Sequence, residues 1–158
     1  MEREDFLQKT LEAEKTLFHV AFSILQEEQD CADAVQEAIT KAYAQRNKLQ
    51  NSDYFKTWIT RIVINECYNL LRKKKHFAEF KEETVADKAY LQAYVKEEYL
   101  DLYRAIAKLE EKDKICVLLF YMEGYSVSQI AEVLKIPQGT VKSRLNRARK
   151  QLKGLLQE

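Results

Sequence analysis

Glycine and proline are scarce in this chain of 158 residues, which contains three of the former and one of the latter. Because these two residue types interrupt regular structure more than any others, their scarcity predicts long helices and an all-α fold. Long apolar runs are missing as well, and the charged start Met1–Asp5 is not followed by the apolar core of a secretory signal. The sequence therefore predicts a soluble, cytoplasmic, all-helical protein.

Cysteine and histidine are too few and too dispersed for most site chemistry. Cys31, Cys67 and Cys116 are odd in number and form no CxxC pair, so neither a zinc site nor a disulfide framework is indicated. We expect buried or partly buried thiols in a reducing cytoplasm instead. His19 and His76 lie far apart, and no phosphate loop or nucleophile elbow is present. The sequence therefore predicts no catalytic residue, no metal, no cofactor and no small-molecule substrate, which argues against an enzyme.

Charge is abundant, at 32% of residues, and it is segregated although the net charge is only +1. Met1–Thr40 has ten acidic and three basic residues, and Phe77–Asp113 has ten acidic and six basic residues. Lys56–Lys75, in contrast, has six basic residues and one acidic residue, and Lys135–Lys153 has seven basic residues and no acidic one. Two basic islands in a nearly neutral chain suit two separate contacts with nucleic acid.

The stretch Ser126–Leu152 has the pattern of a helix-turn-helix. Ser126 and Gln129 form a capping box that predicts the start of a first, short helix. Pro137 ends that helix and is expected at the first position of a second one, since Ile136 is a poor N-cap. The second helix carries one apolar stripe, spaced four, three, four and three residues apart, at Val141, Leu145, Ala148, Leu152 and Leu155.

The basic faces of this second helix suit the major groove of duplex DNA, with base-reading side chains near its N-terminus. A helix whose basic face is merely solvated is the alternative, but turn, cap, stripe and charge all favour DNA binding. Gly139 lies inside the predicted helix at a cost of about 1 kcal/mol. We expect that it permits a close backbone approach, either to the preceding helix or to DNA.

Three helices are predicted in the first half of the chain. Apolar residues recur at helical spacing over Asp5–Leu25, and a second helix is expected to have Asp30 as its N-cap and to run to about Gln45. On pattern alone, the polar face of this second helix is typical of a solvated surface. That face carries Asp33, Gln36, Glu37 and Lys41.

A polar loop over Arg46–Tyr54 precedes the third predicted helix, Phe55–Lys75. Amides, basic groups and aromatic residues on and before this helix suit single-stranded DNA, which needs stacking surfaces and backbone charge. A polar stripe on the helix, at steps of four, leads to the basic cluster Arg72–Lys75 and is formed by Arg61, Asn65 and Asn69.

The segment after the third helix has the weakest periodicity and is interpreted as a flexible linker. The predicted organisation is an N-terminal domain over 1–76, a linker over 77–98 and a C-terminal domain over 99–158. Helices are expected at Tyr99–Leu109 and Asp113–Met122, and Gly124 is expected to end the latter as a C-cap glycine.

The chain resembles an extracytoplasmic-function sigma factor, of the sigma-70 family of bacterial RNA polymerase. DAVQEAITKAY (Asp33–Tyr43) is similar to the polymerase-binding helix of that family, and FKTWITRIVINECYNLLRKKK (Phe55–Lys75) is similar to its promoter-melting helix. YSVSQIAEVLKIPQGTVKSRLNRARKQL (Tyr125–Leu152) is similar to its C-terminal helix-turn-helix. A stand-alone helix-turn-helix regulator would explain only the last of these three stretches.

The resemblance implies two small helical domains that bind core RNA polymerase, through its β′ clamp and β subunits, and promoter DNA. It also implies control by a separate, membrane-associated anti-sigma factor. The polymerase-binding residues that it implies, on the β′ clamp coiled coil, are Asp33, Gln36, Glu37 and Lys41. The residues that match the promoter-melting segment, which acts on single-stranded DNA, are Lys56, Arg61, Asn65, Asn69, Arg72, Lys73, Lys74 and Lys75.

The resemblance further implies that the loop Asn47–Tyr54 captures a flipped base and that the C-terminal helix reads the minus-thirty-five element as a duplex. Asn69 departs from the family pattern, which often has Asp there; the amide keeps hydrogen bonding and removes a charge that would repel DNA. The residues that match the major-groove helix are Thr140, Lys142, Ser143, Arg144 and Arg147.

Overall fold

The computed structural model of the chain describes residues 1–74 and 96–157, and within these ranges all regular structure is helical. The chain divides into two compact units, Met1–Asp87 and Lys88–Glu158. The all-α expectation is confirmed for the described residues. Most of the predicted linker, together with Lys75 and His76, lies outside them, so the predicted domain limits stay a prediction.

Within residues 1–74, the N-terminal unit has three mutually packed helices, α1 (Arg3–Leu25), α2 (Glu28–Ala44) and α3 (Phe55–Lys74). Each helix turns one apolar stripe toward the other two, because side chains three and four residues apart share a helix face. The fully buried side chains at the centre include Leu17, Val20, Val35, Ile59, Val63 and Cys67. Each of the three helices has a polar outer face, and the loop between α2 and α3 adds another polar surface.

The start of α2 differs from the prediction, which named Asp30 as the N-cap. Glu27 is the N-cap, and its carboxylate accepts hydrogen bonds from the backbone N–H groups of Gln29 (3.0 Å) and Asp30 (2.6 Å). Because Glu27 satisfies these two amides, α2 begins at Glu28 and the Asp30 side chain is left for another partner.

The predicted loop between α2 and α3 contains two short 3₁₀ turns, Arg46–Lys48 and Ser52–Tyr54. The Asn51 side chain caps the second turn by accepting a hydrogen bond from the Asp53 N–H (2.9 Å). Phe55 then starts α3 and is buried, with its ring edge-on to Phe6 at 5.6 Å between centroids. This contact anchors the loop to the core at the point where α3 begins.

The C-terminal unit contains α4 (Leu100–Ala107), α5 (Glu111–Val117), α6 (Val127–Leu134) and α7 (Gln138–Leu156). A 3₁₀ turn over Glu97–Tyr99 precedes α4, and α5 continues as a π-helical turn through Met122. The wider turn buries Leu118 and Leu119 completely. Gly124 follows with φ of +73°, which confirms the expected helix-ending glycine.

The helix-turn-helix is present as α6 and α7. The capping box is confirmed in both directions, since Ser126 N–H donates to Gln129 Oε1 (2.9 Å) and Gln129 N–H donates to Ser126 Oγ (3.0 Å). Lys135 ends α6 in the left-handed conformation. The prediction that Pro137 is the first helical residue is wrong. Pro137 is the N-cap of α7, because its ψ of 150° is extended. Its carbonyl accepts from the N–H groups of Thr140 and Val141 and so starts α7.

Gly139 does not make the close approach to the preceding helix that was offered as one reason for a glycine there. A Cβ built on Gly139 has no heavy atom within 4 Å, and the same is true of Gly154 near the other end of α7. The second reason, a close approach of DNA, stays a prediction.

Gly139→Ala is expected to raise the free energy of unfolding by up to about 1 kcal/mol, because alanine loses less conformational entropy in a helix and meets no clash here. Chemical denaturation measures this. Gly154→Ala is the matched control, with a similar gain expected and no effect on duplex DNA binding. Weaker DNA binding by Gly139→Ala alone would support an approach of DNA at Gly139, and an unchanged or lower stability would contradict the prediction.

Candidate functional site

The predicted polar face of α2 is a continuous exposed surface. Asp33, Gln36, Glu37 and Lys41 are all exposed, while the other side of the helix is buried in the three-helix core. The Gln29 side-chain amide donates to Asp33 Oδ1 (3.0 Å), which holds one carboxylate in place within the helix. The structure therefore brings these four predicted residues together on one face.

Lys41 is joined to α3 through Glu66, a residue with no predicted role. Its ammonium donates to Glu66 Oε1 at 2.6 Å, and the Glu66 side chain is only 12% exposed. This hydrogen bond raises the pKa of Lys41. The sequence contained a signal for an ion pair at this position, since Glu66 is the one acidic residue in the basic stretch Lys56–Lys75.

The predicted polar stripe of α3 lies on one side of the helix. Asn65 is exposed, whereas Arg61 and Asn69 are partly buried. Arg72 donates to Asn69 Oδ1, which joins the stripe to the basic end of the helix. Lys56 and Lys73 are exposed, and Lys75 lies outside the described residues.

Lys74 is directed toward α2. Its ammonium bonds to Asp30 Oδ1, and Asp30 is 13% exposed. The hydrogen bond from Asp30 raises the pKa of Lys74. Together with Lys41–Glu66, this pair joins α2 to α3, so two of the predicted interface lysines also hold the two helices together.

A cavity of about 370 Å³ lies between the start of α1 and the predicted base-capturing loop. Its walls combine a carboxylate, an ammonium group, an amide and a hydroxyl with two apolar side chains. The loop start is fixed by Arg46, whose guanidinium stacks 4.0 Å from the Tyr43 ring centroid and donates to the Tyr43 carbonyl (2.9 Å). The cavity is lined by Met1, Asp5, Lys9, Leu49, Gln50 and Ser52.

The polar faces of α7 present the predicted groove residues beside one buried stripe. Lys142 and Ser143 are exposed in the second turn, and the Ser143 hydroxyl donates to the Gly139 carbonyl (3.0 Å). Thr140 and Arg144 are partly buried. The buried stripe was predicted from spacing and is confirmed at Val141, Leu145, Ala148 and Leu152.

Two arginines of α7 meet side chains of α5. Arg147 Nε and Nη2 donate to the two oxygens of Asp113 at 2.8 and 2.7 Å, and the Asp113 side chain is completely buried. This hydrogen-bonded pair raises the pKa of Arg147. One turn along, burial raises the pKa of the Cys116 thiol, and the Arg144 guanidinium beside it opposes part of that rise. Neither Asp113 nor Cys116 was predicted to be a partner of α7.

A second unforeseen contact lies on the outer side of α7. Arg149 donates from Nε to the Tyr121 hydroxyl and from Nη1 to Asn146 Oδ1 (2.8 Å), with its guanidinium 5.5 Å from the Tyr121 ring centroid. Tyr121 is 49% exposed and sits in the π-helical turn after α5. The sequence gives no sign of this contact, because it depends on the wider turn.

The three cysteines are buried, and each has a free thiol. Burial raises the pKa of Cys31 and raises that of Cys67 to about 12, which leaves both thiols protonated near neutral pH. Over residues 1–74 and 96–157, no group of three His, Cys, Asp or Glu side chains is arranged to hold a metal ion. None of the helices in those ranges is both long enough and apolar enough to cross a membrane.

Comparison with known proteins finds the same family over both units. Residues 11–77 match the family described as Sigma-70 region 2, and residues 99–152 match Sigma-70, region 4. RNA polymerase sigma factor SigV of Bacillus subtilis is 30% identical over 135 residues, which cover 84% of this chain and 80% of SigV. ECF RNA polymerase sigma factor SigM of Mycobacterium tuberculosis is 34% identical over 128 residues, 81% of this chain but 65% of SigM. This chain thus spans just under two thirds of SigM.

Solved structures resemble the whole chain, among them the sigma factor RpoE in a co-crystal with the anti-sigma factor NepR, from Bartonella quintana. The TM-score is 0.84 at 25% sequence identity, and the match covers 98% of each chain.

Proposed function

This chain belongs to the extracytoplasmic-function sigma factors of the sigma-70 family, and we propose that it binds core RNA polymerase, directs it to specific promoters and helps to open the minus-ten region. The observation that carries the proposal is the division of polar surfaces among α2, α3 and α7. Each unit buries its apolar stripes. The exposed faces carry carboxylates on α2, amides and basic groups on α3, and basic and hydroxyl groups on α7, which are the residue types that the proposed partners require.

The outer face of α2 is the proposed docking surface for the β′ clamp of the polymerase. Asp33 and Glu37 are one turn apart and exposed, and Gln36 lies between them. Lys41 borders this face, but its ammonium is held by Glu66. We therefore assign Lys41 to the edge of the surface and the carboxylates to its centre.

The outer face of α3 and the adjoining loop are the proposed surface for the opened minus-ten strand. The side chains of Arg61, Asn65, Asn69, Arg72 and Lys73 offer hydrogen-bond donors and positive charge along one side. Unstacking a base costs a few kcal/mol, so a pocket that binds the extrahelical base favours the open strand. The cavity beside Gln50 and Ser52 has the polar walls that such a pocket needs.

The N-terminal half of α7 is the proposed reader of the minus-thirty-five element as duplex. Lys142 and Ser143 point outward within the first two turns, where a recognition helix contacts base edges. Thr140 and Arg144 flank them. We propose that this chain supplies binding surfaces and charge, and we assign the chemistry of RNA synthesis to the polymerase in the cytoplasm.

We also propose control by a separate anti-sigma factor. The support is the RpoE structure, which holds the anti-sigma factor NepR and matches this chain over 98% of its length. Such a partner would cover the polymerase- and DNA-binding faces. Its attachment to a membrane is an expectation from the family resemblance.

Reconstituted transcription tests the proposed function. The full chain, added to core RNA polymerase with a genomic promoter library, is expected to give initiation at a defined set of sequences, which sequencing of the transcripts identifies. Initiation no better than that of core enzyme alone would refute the proposal. Tight binding to the same duplexes without any polymerase would instead favour a stand-alone regulator.

A further inference from the structure

In the hydrogen-bonded pair Asp113–Arg147, the carboxylate occupies only one of the two donor edges of the guanidinium, so the other edge can bind a second ligand. A guanidinium group has a side-on edge, formed by Nε and one terminal nitrogen, and an end-on edge formed by the two terminal nitrogens. Asp113 occupies the side-on edge through Nε and Nη2. The end-on edge, with Nη1 and the second hydrogen of Nη2, remains for another ligand.

The burial of the two partners is very unequal. The Asp113 side chain is 0% exposed and that of Arg147 is 52% exposed. Because the Asp113 carboxylate is enclosed by packed side chains, it has no solvent-filled space in which to change rotamer. It therefore holds the Arg147 guanidinium in one orientation. The surface pair Arg104–Asp101 of the same unit lacks this property, since its atoms are 3.8 Å apart and Asp101 is 93% exposed.

We propose that Asp113 is a positioning residue for DNA recognition, which holds the Arg147 guanidinium so that its end-on edge contacts the upstream promoter duplex. This rests on the proposed function of α7. The ligand chemistry is a pair of adjacent acceptor atoms, which both guanine (O6 and N7) and a DNA phosphate present. The side chain is prepared before binding, so little of its rotamer entropy is lost when DNA arrives.

A contrary role for the same pair is neutralisation. An arginine whose charge is balanced by a buried carboxylate attracts phosphates less than a lone one, and the pair would then only join α5 to α7. The two roles predict opposite signs for Asp113→Asn. Removal of a neutralising carboxylate raises the net charge and strengthens DNA binding, whereas loss of a positioning group weakens it despite the added charge.

The experiment uses the full chain in holoenzyme and the upstream duplex recovered from the promoter selection. Binding is measured by fluorescence anisotropy over a range of salt concentrations for Asp113→Asn, Arg147→Lys, Arg147→Ala and the double variant. Asp101→Asn is the matched control, the same substitution in a surface pair. Thermal melting of each variant establishes the temperature range in which it is folded.

Asp113→Asn and Arg147→Lys are each expected to weaken duplex binding about tenfold, within the range for one bidentate contact, and Asp101→Asn to leave it unchanged. Arg147→Ala should reduce the salt slope by about one if the contact is to phosphate. A loss confined to one guanine position would identify the base instead. In the Arg147→Ala background, Asp113→Asn should have no further effect on DNA binding, because Asp113 acts through the Arg147 guanidinium.

Equal or tighter binding by folded Asp113→Asn would overturn the proposal, and so would unchanged binding by Arg147→Lys. Arg147→Lys keeps the charge and the ion pair. Unchanged binding by this variant would therefore refute the proposal even if Asp113→Asn does not fold. Failure of the wild-type holoenzyme to select any duplex would count against the proposed function rather than against this inference.

Discussion

Replacement of both Asp33 and Glu37 by lysine is expected to abolish association with core RNA polymerase and to leave the N-terminal unit folded. Both side chains are exposed on the outer face of α2, one turn apart, and neither supports the core. Juxtaposed like charges at an interface cost several kcal/mol, which corresponds to a loss of affinity of about a hundredfold or more. Co-purification with core enzyme and binding of labelled chain measure the loss.

The control for this variant makes the same change of charge on α1. Glu12 and Glu14 are exposed on α1, a different helix from the one that carries the proposed docking face, and their replacement by lysine should leave polymerase binding nearly unchanged. Circular dichroism and melting establish that both double variants are folded. Normal co-purification of the Asp33→Lys, Glu37→Lys variant would show that α2 is not the docking helix.

The periodic parts of the fold could be predicted because a helix leaves a direct trace in the sequence. The stripe from Val141 to Leu152 was predicted from spacing and is buried. The capping box at Ser126 was predicted from residue types, since both hydrogen bonds form between neighbours in the chain. Local interactions of this kind need no knowledge of the tertiary fold.

Helix starts were less predictable when two capping groups competed. Asp30 is a better N-cap by residue type, but Glu27 caps the amides of Gln29 and Asp30 and starts the helix earlier, and Asp30 then binds Lys74 from another helix. Pro137 shows the same limit at the start of α7. Its ring fits either the first helical position or the N-cap, and only the ψ of 150° distinguishes them.

The partners of the site residues could not be predicted because they come from distant parts of the chain. Lys41 and Glu66 are 25 residues apart, and Asp113 and Arg147 are 34 apart. A sequence shows that each of these residues is charged but not which ones meet. The exposed groups of α2 and α7 were therefore easier to propose as interfaces than the charges that hold the helices together.

Arg144→Ala is expected to weaken recognition of the upstream duplex without affecting polymerase binding. Arg144 lies in the second turn of α7 beside Lys142 and Ser143, where a recognition helix meets base edges. One bidentate contact to a base contributes about 1–3 kcal/mol, so we expect affinity to fall by about tenfold or more. Holoenzyme binding to matched duplexes with and without the upstream element measures this effect.

Arg104→Ala is the control, because Arg104 belongs to the same unit but pairs with Asp101 on α4, outside the helix-turn-helix. Arg104→Ala should leave both duplex and polymerase binding close to wild type. Arg144 also lies beside the buried Cys116, so melting of each variant is needed to separate a lost DNA contact from a loosened α5–α7 contact. If Arg144→Ala lowered polymerase and duplex binding equally, the proposed division of labour between the two units would be wrong, because a side chain of α7 would then govern both.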